Sequence, residues 1–176
     1  KGGKSAYCDE GISLIRSTNV FDYNFAYTDL AHISDEQANA LSNVVVEQKD
    51  VLFNITGVSV ARCCIVPDDV LPARVNQHVM ILRPYKGKLM SYFIMATLCY
   101  TENKAKLLGI GQSGSTREAI NKQEMESFQI IVPPDNMIED FGTKAEQLYN
   151  MICSNIQEIK HLESMQQLIL MQLSSR

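Results

Sequence analysis

The C-terminal quarter of the chain carries the pattern that most restricts its fold. From Ile138 to Leu173, apolar residues recur at alternating intervals of three and four positions. This spacing is close to a heptad repeat, with a slip near residues 152–156, and predicts an amphipathic helix that packs against another helix. The helix follows Pro133-Pro134, and either Asp135 or Asn136 can cap it.

The predicted helix is long for a small domain, since roughly 36 residues at 1.5 Å each would reach roughly 54 Å. That much apolar surface needs a partner helix, in the same protein or in another one. Packing along its own domain is the alternative. The residues that we expect to face the partner helix are Phe141, Leu148, Ile152, Ile156, Ile159, Leu162 and Ile169.

The residues before the helix predict an α+β domain with a mixed β-sheet and flanking helices. Five segments have the alternation or the β-branched content of strands: residues 11–16, 44–46, 50–55, 58–66 and 76–82. Ser34 and Gln37 form a capping-box pair that predicts a helix through Leu41, and residues 88–106 predict another. A polar loop from Gly109, a short helix from Glu118 and a strand precede the prolines. We therefore divide the chain into a domain of residues 1–134 and a helix of residues 135–176.

Composition limits the classes of protein to consider. The 176 residues are 45% hydrophobic, which is normal for one globular domain with an appended element. The sequence predicts neither a transmembrane span nor a signal peptide, because it has no run of 18 apolar residues and no apolar N-terminal segment. The five cysteines are odd in number and lack a C-x-x-C spacing, which argues against a disulfide framework and a zinc site and favours the cytoplasm.

Charge is unevenly distributed along the chain. The net charge is −4, yet residues 62–122 hold nine basic and four acidic side chains, and residues 135–176 hold three basic and six acidic ones. One face of the domain is therefore expected to be basic and the helix acidic. Scattered, solvated charge is the alternative interpretation.

No set of residues predicts catalysis or a bound cofactor or metal. Residues 109–114 fit G-x-G-x-x-G, but a dinucleotide site needs a strand before that loop and the preceding residues predict a helix. Residues 132–135 faintly resemble the catalytic motif of amino-group DNA methyltransferases. Val132 cannot accept the required hydrogen bond and Asp135 cannot stack on a base. None of His32, His78 and His161 has an acid or a cysteine at ligand spacing.

Five segments, in order, resemble the target recognition domains of type I restriction–modification specificity subunits. Residues 11–20 are similar to the family's opening strand, and residues 50–57 with 60–62 to its "DVL…TG…GR" hairpin, although Ala61 stands where the family usually has glycine. Residues 71–77 are similar to its "P…NQ" strand entry, and residues 114–134 to its "GST…PP" exit. The helix around Ile156, Ile159 and Leu162 resembles its coiled-coil spacer.

The resemblance implies a non-catalytic module that reads part of a bipartite site in double-stranded DNA. Such a module would hold a modification (methyltransferase) subunit, which uses S-adenosylmethionine, and recruit a restriction subunit. A full specificity subunit of the family has two such halves, whose helices pair antiparallel and set the distance between two half-sites. This chain carries one half. It would pair through its helix with a second recognition half or with another copy of itself, and a symmetric dimer would imply inverted half-sites.

Three polar loops are the predicted DNA-binding elements, because hydroxyl, amide and guanidinium groups read base edges. The residues are Arg16, Ser17, Thr18 and Asn19 in the first loop, Thr56, Gly57, Ser59 and Arg62 at the hairpin, and Gln112, Ser113, Ser115, Thr116 and Arg117 in the third loop. Turn formation and helix capping are the alternative roles for each.

Two other functions stay open at this point. A coiled-coil adaptor that binds protein and never touches DNA agrees with the acidic net charge. The recognition domain of a fused restriction–methyltransferase enzyme would share the fold and differ only in what precedes it.

Overall fold

The computed structural model describes residues 7–112 and 118–174. Within these ranges the strands are β1 (Ile12–Ile15), β2 (Val20–Phe21), β3 (Asn24–Phe25), β4 (Ala31–Ile33), β5 (Val45–Val46), β6 (Val51–Asn54), β7 (Cys63–Ile65), β8 (Ala73–Val75) and β9 (Val79–Leu82). The α-helices are α1 (Asp35–Ala40), α2 (Met90–Cys99), α3 (Thr101–Gln112), α4 (Lys122–Glu126) and α5 (Asp135–Ser174). The α+β class and the long C-terminal helix predicted from the sequence are confirmed.

The strands form two main sheets and one small ribbon. The first sheet has the order β4-β1-β8-β5 and is mixed, since β1 runs parallel to β8 and antiparallel to β4. The second has the order β7-β6-β9 and is antiparallel, and β2 pairs with β3. The segments 44–46 and 50–55 therefore belong to different sheets.

The hydrophobic core lies on both faces of the second sheet. Side chains alternate along β6, so that Val51 and Phe53 pack with α2 and α3 while Leu52 packs toward the first sheet. All three are fully buried. This arrangement fixes β6 and the loop that follows it, because a strand buried on both faces has no freedom to slip.

Local signals gave α1 correctly and several other elements only in part. The hydroxyl of Ser34 accepts a hydrogen bond from the N–H of Gln37, and the side-chain oxygen of Gln37 accepts one from the N–H of Ser34, so the predicted capping box is present. The predicted helix 88–106 is two helices, because Tyr100 is extended (φ −60°, ψ 134°). The second of them, α3, continues to Gln112, so part of the predicted polar loop is helical.

Two strand predictions were wrong: one segment pairs over fewer residues than predicted, and the other forms no strand. The segment 58–66 pairs only at Cys63–Ile65, because Gly57 (φ 72°) and Ala61 (φ 65°) adopt left-handed backbone conformations before the strand. No strand forms within residues 127–134, which pair with no neighbouring strand, and the short helix α4 begins at Lys122 rather than at Glu118.

The long helix α5 begins on the backbone of Pro134, whose carbonyl accepts hydrogen bonds from the N–H groups of Met137 and Ile138. Neither predicted cap supplies this contact. At 40 residues and 1.5 Å each, the helix is about 60 Å long. No described helix is long and apolar enough to cross a membrane.

One face of α5 packs on the domain along its first half. Ile138, Gly142 and Tyr149 are buried there, and the Tyr149 hydroxyl donates a hydrogen bond of 2.9 Å to the carbonyl of Ile65. Farther along, the ammonium of Lys160 lies 4.3 Å from the centre of the Tyr27 ring. Beyond Lys160, every described residue of the helix is exposed.

Candidate nucleic-acid interface

The first predicted loop is a 3-10 turn, Ser17–Asn19, held from inside by its last residue. Asn19 is completely buried, and its side-chain amide donates hydrogen bonds to the carbonyls of Ala26 (2.9 Å) and Thr28 (3.3 Å). Its side-chain oxygen accepts one from the N–H of Arg16 at 3.0 Å. Because the amide of Asn19 is fully engaged, it positions the loop, while Ser17 and Thr18 remain at the surface.

The hairpin loop carries the second set of predicted residues. Gly57–Ser59 form another 3-10 turn, and Gly57 takes the positive φ that a residue with a Cβ adopts at a cost. The hydroxyl of Thr56 lies 2.7 Å from Nδ1 of His78, a partially buried ring at the end of the neighbouring strand β9. This bond connects the hairpin loop to the adjacent strand.

One buried side chain links the first loop to the hairpin. Asn54, the last residue of β6, donates a hydrogen bond of 2.9 Å from its amide nitrogen to the carbonyl of Ser17. Since β6 is buried on both faces, this bond fixes the first loop relative to the hairpin. Ser17, Thr18, Thr56, Gly57, Ser59 and Arg62 thus line one cleft of about 410 Å³, together with Phe21, Val58 and His78.

Among the described residues, Arg62 is the arginine of the cleft wall. Its guanidinium lies over the ring of Phe21, 4.7 Å from the centroid, and makes no hydrogen bond or ion pair with any described residue. Stacking on an aromatic ring orients the guanidinium plane and leaves its edge donors available. Arg62 therefore combines an aromatic contact with hydrogen-bond donors that no described residue occupies.

The third predicted loop begins and ends beside the hairpin. The N–H of Gly57 donates to the carbonyl of Glu118 (2.8 Å), and the N–H of Ile120 donates to the carbonyl of Ile55 (2.8 Å). The N–H of Ala119 in turn reaches the carbonyl of Gly111 near the end of α3 (3.0 Å). These bonds bring both ends of the loop to the edge of the cleft.

Of the residues predicted in that loop, Gln112 is the exposed last residue of α3. Ser113, Ser115, Thr116 and Arg117 lie outside the described residues. Arg16, in the first loop, points elsewhere: its guanidinium donates a hydrogen bond to the carbonyl of Asp29 and lies 5.6 Å from the ring centre of Tyr7. Arg16 is therefore engaged within the domain.

A partly exposed ion pair between Lys104 and Asp22 lies next to the hairpin. The ammonium of Lys104 contacts both carboxylate oxygens of Asp22 (2.6 and 2.8 Å) and the carbonyl of Ala61 (2.6 Å). Asp22 also accepts a hydrogen bond from the N–H of Cys63 at 3.2 Å. Burial raises the pKa of the Cys63 thiol, which stays protonated and unreactive at neutral pH. This group holds the ends of β2 and β7 together behind the hairpin loop.

The sequence did not indicate three residues of the cleft wall: Phe21, Val58 and His78. Phe21 and Val58 are apolar and give no polar-loop signal, and His78 has no acid or cysteine at ligand spacing. The pairing of Arg62 with Phe21 joins positions 41 residues apart, which a search for short motifs does not detect.

The predicted helix partner residues are mostly at the surface. Phe141, Leu148, Ile152, Ile159, Leu162 and Ile169 are exposed, and Ile156 is partially buried. Phe141 makes an edge-on contact with Phe93 of α2, at 6.4 Å between ring centres. The other exposed residues have no covering element in the described chain. Within residues 7–112 and 118–174, no three His, Cys, Asp or Glu side chains cluster in a way that could hold a metal ion.

Comparison with known proteins identifies the family. Residues 7–163 match the family model described as type I restriction modification DNA specificity domain. The fold matches a solved structure described as "Structural basis underlying complex assembly and conformational transition of the type I R-M system", with a TM-score of 0.60 and 18% sequence identity. That match covers 93% of this chain and 38% of the other, so this chain spans well under half the length of that protein. No curated protein matches. The chain belongs to the family of type I restriction–modification DNA specificity domains.

Proposed function

We propose that this member of the DNA specificity family reads one half of a bipartite sequence in double-stranded DNA, and that the cleft between the first loop and the hairpin makes the base contacts. The observation that carries the proposal is the convergence of two separately predicted loops on one cleft. The ends of the third loop are hydrogen-bonded to its edge. In this proposal the chain supplies recognition, and the chemistry on DNA belongs to other subunits.

Charge and geometry support different roles for the residues of the cleft. Arg62 is suited to a bidentate contact with guanine, since its guanidinium lies over the ring of Phe21 and no described residue occupies its donors. The hydroxyls of Ser17, Thr18 and Ser59 are suited to base edges or phosphates. Arg16 and Asn19 serve to position the first loop. Gln112, at the end of α3, is a further candidate for DNA contact. Ser113, Ser115, Thr116 and Arg117 lie outside the described residues and stay candidates from the sequence alone.

Selection from a random duplex library tests this function. The chain and the modification subunit are used together at low salt, where the electrostatic part of DNA binding is strongest. We expect one short motif, single or as an inverted pair. A pool no more enriched than one taken with the modification subunit alone would favour a protein-binding adaptor instead.

We further propose that the exposed face of α5 pairs with the same helix of a second copy. A strict heptad runs through Leu148, Ile152, Asn155, Ile159, Leu162, Gln166, Ile169 and Leu173, which we call the free seam. The apolar residues alone show a slip in the heptad repeat near residues 152–156. This slip disappears when the polar residues Asn155 and Gln166 are counted as heptad positions. All eight of these residues are exposed, and none belongs to the domain-facing row formed by Ile138, Gly142, Ala145, Tyr149, Cys153, Ile156 and Lys160.

The free seam is self-complementary in one antiparallel register. If Asn155 faces Gln166 of the partner helix, Ile159 faces Leu162, Ile152 faces Ile169 and Leu148 faces Leu173. Each apolar residue of the free seam then faces an apolar residue of the partner helix, and the side-chain amides of Asn155 and Gln166 can hydrogen-bond to each other. Polar residues at heptad positions select register at some cost in stability.

Sedimentation of matched helix variants tests the pairing. Leu162→Lys places a charge in the free seam, whereas Met165→Lys places it on an equally apolar position of the same helix outside the seam. We expect the wild-type chain and Met165→Lys to sediment as dimers and Leu162→Lys as a monomer. A monomeric wild-type chain at micromolar concentration would rule out the second copy and leave a separate recognition half as the partner.

Family membership supports a proposal about the partner subunits. We propose that the chain holds a modification subunit and, through it, a restriction subunit, in the cytoplasm, where the five free cysteines suit a reducing environment. In this arrangement residues 1–134 read DNA and residues 135–176 set the half-site spacing. Co-purification with the modification subunit, compared between the full chain and one lacking residues 161–176, tests the division of roles.

A further inference from the structure

Val58 is the most exposed large hydrophobic side chain in the described part of the protein. It is 96% exposed, between Gly57 and Ser59 at the tip of the hairpin loop. It also lines the cleft together with Phe21, which is 39% exposed. The cleft wall therefore has an apolar part in addition to its hydroxyls and Arg62.

The backbone around Val58 is held on both sides. The N–H of Gly57 donates to the carbonyl of Glu118, and the N–H of Val60 donates to the carbonyl of Gly57, each at 2.8 Å. Val60 itself is buried in the core. A β-branched side chain also has few rotamers to lose. Val58 is thus a preorganised apolar group, presented to solvent by a turn that the core anchors.

DNA offers few apolar groups to such a side chain. In the major groove, the base edges are hydrogen-bond donors and acceptors, except for the C5-methyl group of thymine. The same group occurs on 5-methylcytosine. The hydroxyls of Thr56 and Ser59 and the guanidinium of Arg62 flank Val58 and suit the polar edges beside such a methyl group.

We propose that Val58 reads a pyrimidine C5-methyl group in the major groove of the half-site. The inference rests on the proposed function and specifies one position of the target. Phe21 supports the contact by holding Arg62 against the adjacent base. A minor-groove wedge is the competing use of an exposed valine, and it would not depend on the methyl group.

Methyl deletion in the DNA tests the assignment. In the selected motif, each thymine is replaced in turn by deoxyuridine, and each cytosine by 5-methylcytosine. The affinity for each duplex is measured for the wild-type chain and for Val58→Ala, both bound to the modification subunit. We expect deoxyuridine to weaken wild-type binding roughly four-fold at one position, the value of one buried methyl group. Val58→Ala should lose that preference at the same position only. If the preferred base is 5-methylcytosine, methylating one cytosine should instead strengthen wild-type binding by a similar factor, again only with Val58 present.

A matched control separates this effect from general damage. Val45→Ala removes the same atoms from an exposed valine in β5, which does not line the cleft. It should keep the wild-type preference at every position. The inference is overturned if neither base change, at any position of the motif, alters the ratio of the DNA affinities of the wild type and of Val58→Ala. The proposed function would then stay intact. If Val58→Ala lowers the affinity for the motif and for a scrambled duplex by the same factor, the inference is overturned in favour of a minor-groove wedge. Failure of the wild-type complex to select a motif would overturn the proposed function itself.

Discussion

Replacing Gly142 by alanine tests how α5 is joined to the domain. A Cβ at this position would lie 2.7 Å from the carbonyl oxygen and 2.8 Å from the Cβ of Leu89, the residue before α2. Ordinary contact begins near 3.4 Å, and neither atom can move by a side-chain rotation. The strain is therefore expected at the upper end for overpacking, about 3 kcal/mol. The better helix propensity of alanine returns about 1 kcal/mol, so the net loss of unfolding free energy should be about 2 kcal/mol.

Gly109 provides the control for this prediction. It also lies inside a helix, α3, but a Cβ there would meet nothing within 4 Å. Gly109→Ala should therefore raise the unfolding free energy by up to about 1 kcal/mol. Thermal unfolding followed by circular dichroism should show Gly142→Ala melting roughly 4–8 °C below the wild type, the shift that 2 kcal/mol gives in a domain of this size. Equal stabilisation by both substitutions would refute the close packing of α5 on Leu89.

Three further predictions concern buried groups. Asn19→Ala should lower the free energy of unfolding in urea by about 2 kcal/mol, because it removes the hydrogen-bond partner of the N–H of Arg16 and of the carbonyl of Ala26, both in partly buried residues. Tyr149→Phe should cost about 1 kcal/mol in the same assay, through loss of the bond to Ile65. In native thiol titration with an aromatic disulfide at pH 8, exposed Cys8 should react first. Cys64, whose pKa is raised by burial, should react only on unfolding; fast labelling of Cys64 in the native protein would contradict its burial.

Short-range signals were enough for some elements and not for others. The capping box at Ser34, the alternation in β1 and the β-branched content around β6 are local, and each specifies its own element. The segment 58–66 was misjudged because its apolar residues serve a turn as well as a strand. Ala61, at φ 65°, occupies a left-handed position, which accounts for the glycine that the family usually has there.

The candidate site depended on contacts that sequence spacing does not contain. The first loop and the hairpin were both predicted, but the bond from Asn54 to Ser17 that brings them together spans 37 residues. Polar character alone did not distinguish Asn19, which is buried, from Thr18, which is exposed. On α5, the apolar pattern merged two neighbouring faces, one packed on the domain and one free. Only the packing of Gly142 and Tyr149 separates them.

The most direct test of the central claim is the ratio of affinities for the selected motif and for a scrambled duplex. It is measured for the wild type, Arg62→Ala and Lys88→Ala, each with the modification subunit. Lys88 is an exposed cation outside the cleft wall, so its removal controls for the loss of one positive charge. The account predicts that Arg62→Ala loses about 1–3 kcal/mol on the motif and far less on the scrambled duplex. Lys88→Ala should keep the wild-type ratio. An unchanged ratio for Arg62→Ala would contradict recognition of DNA through this cleft.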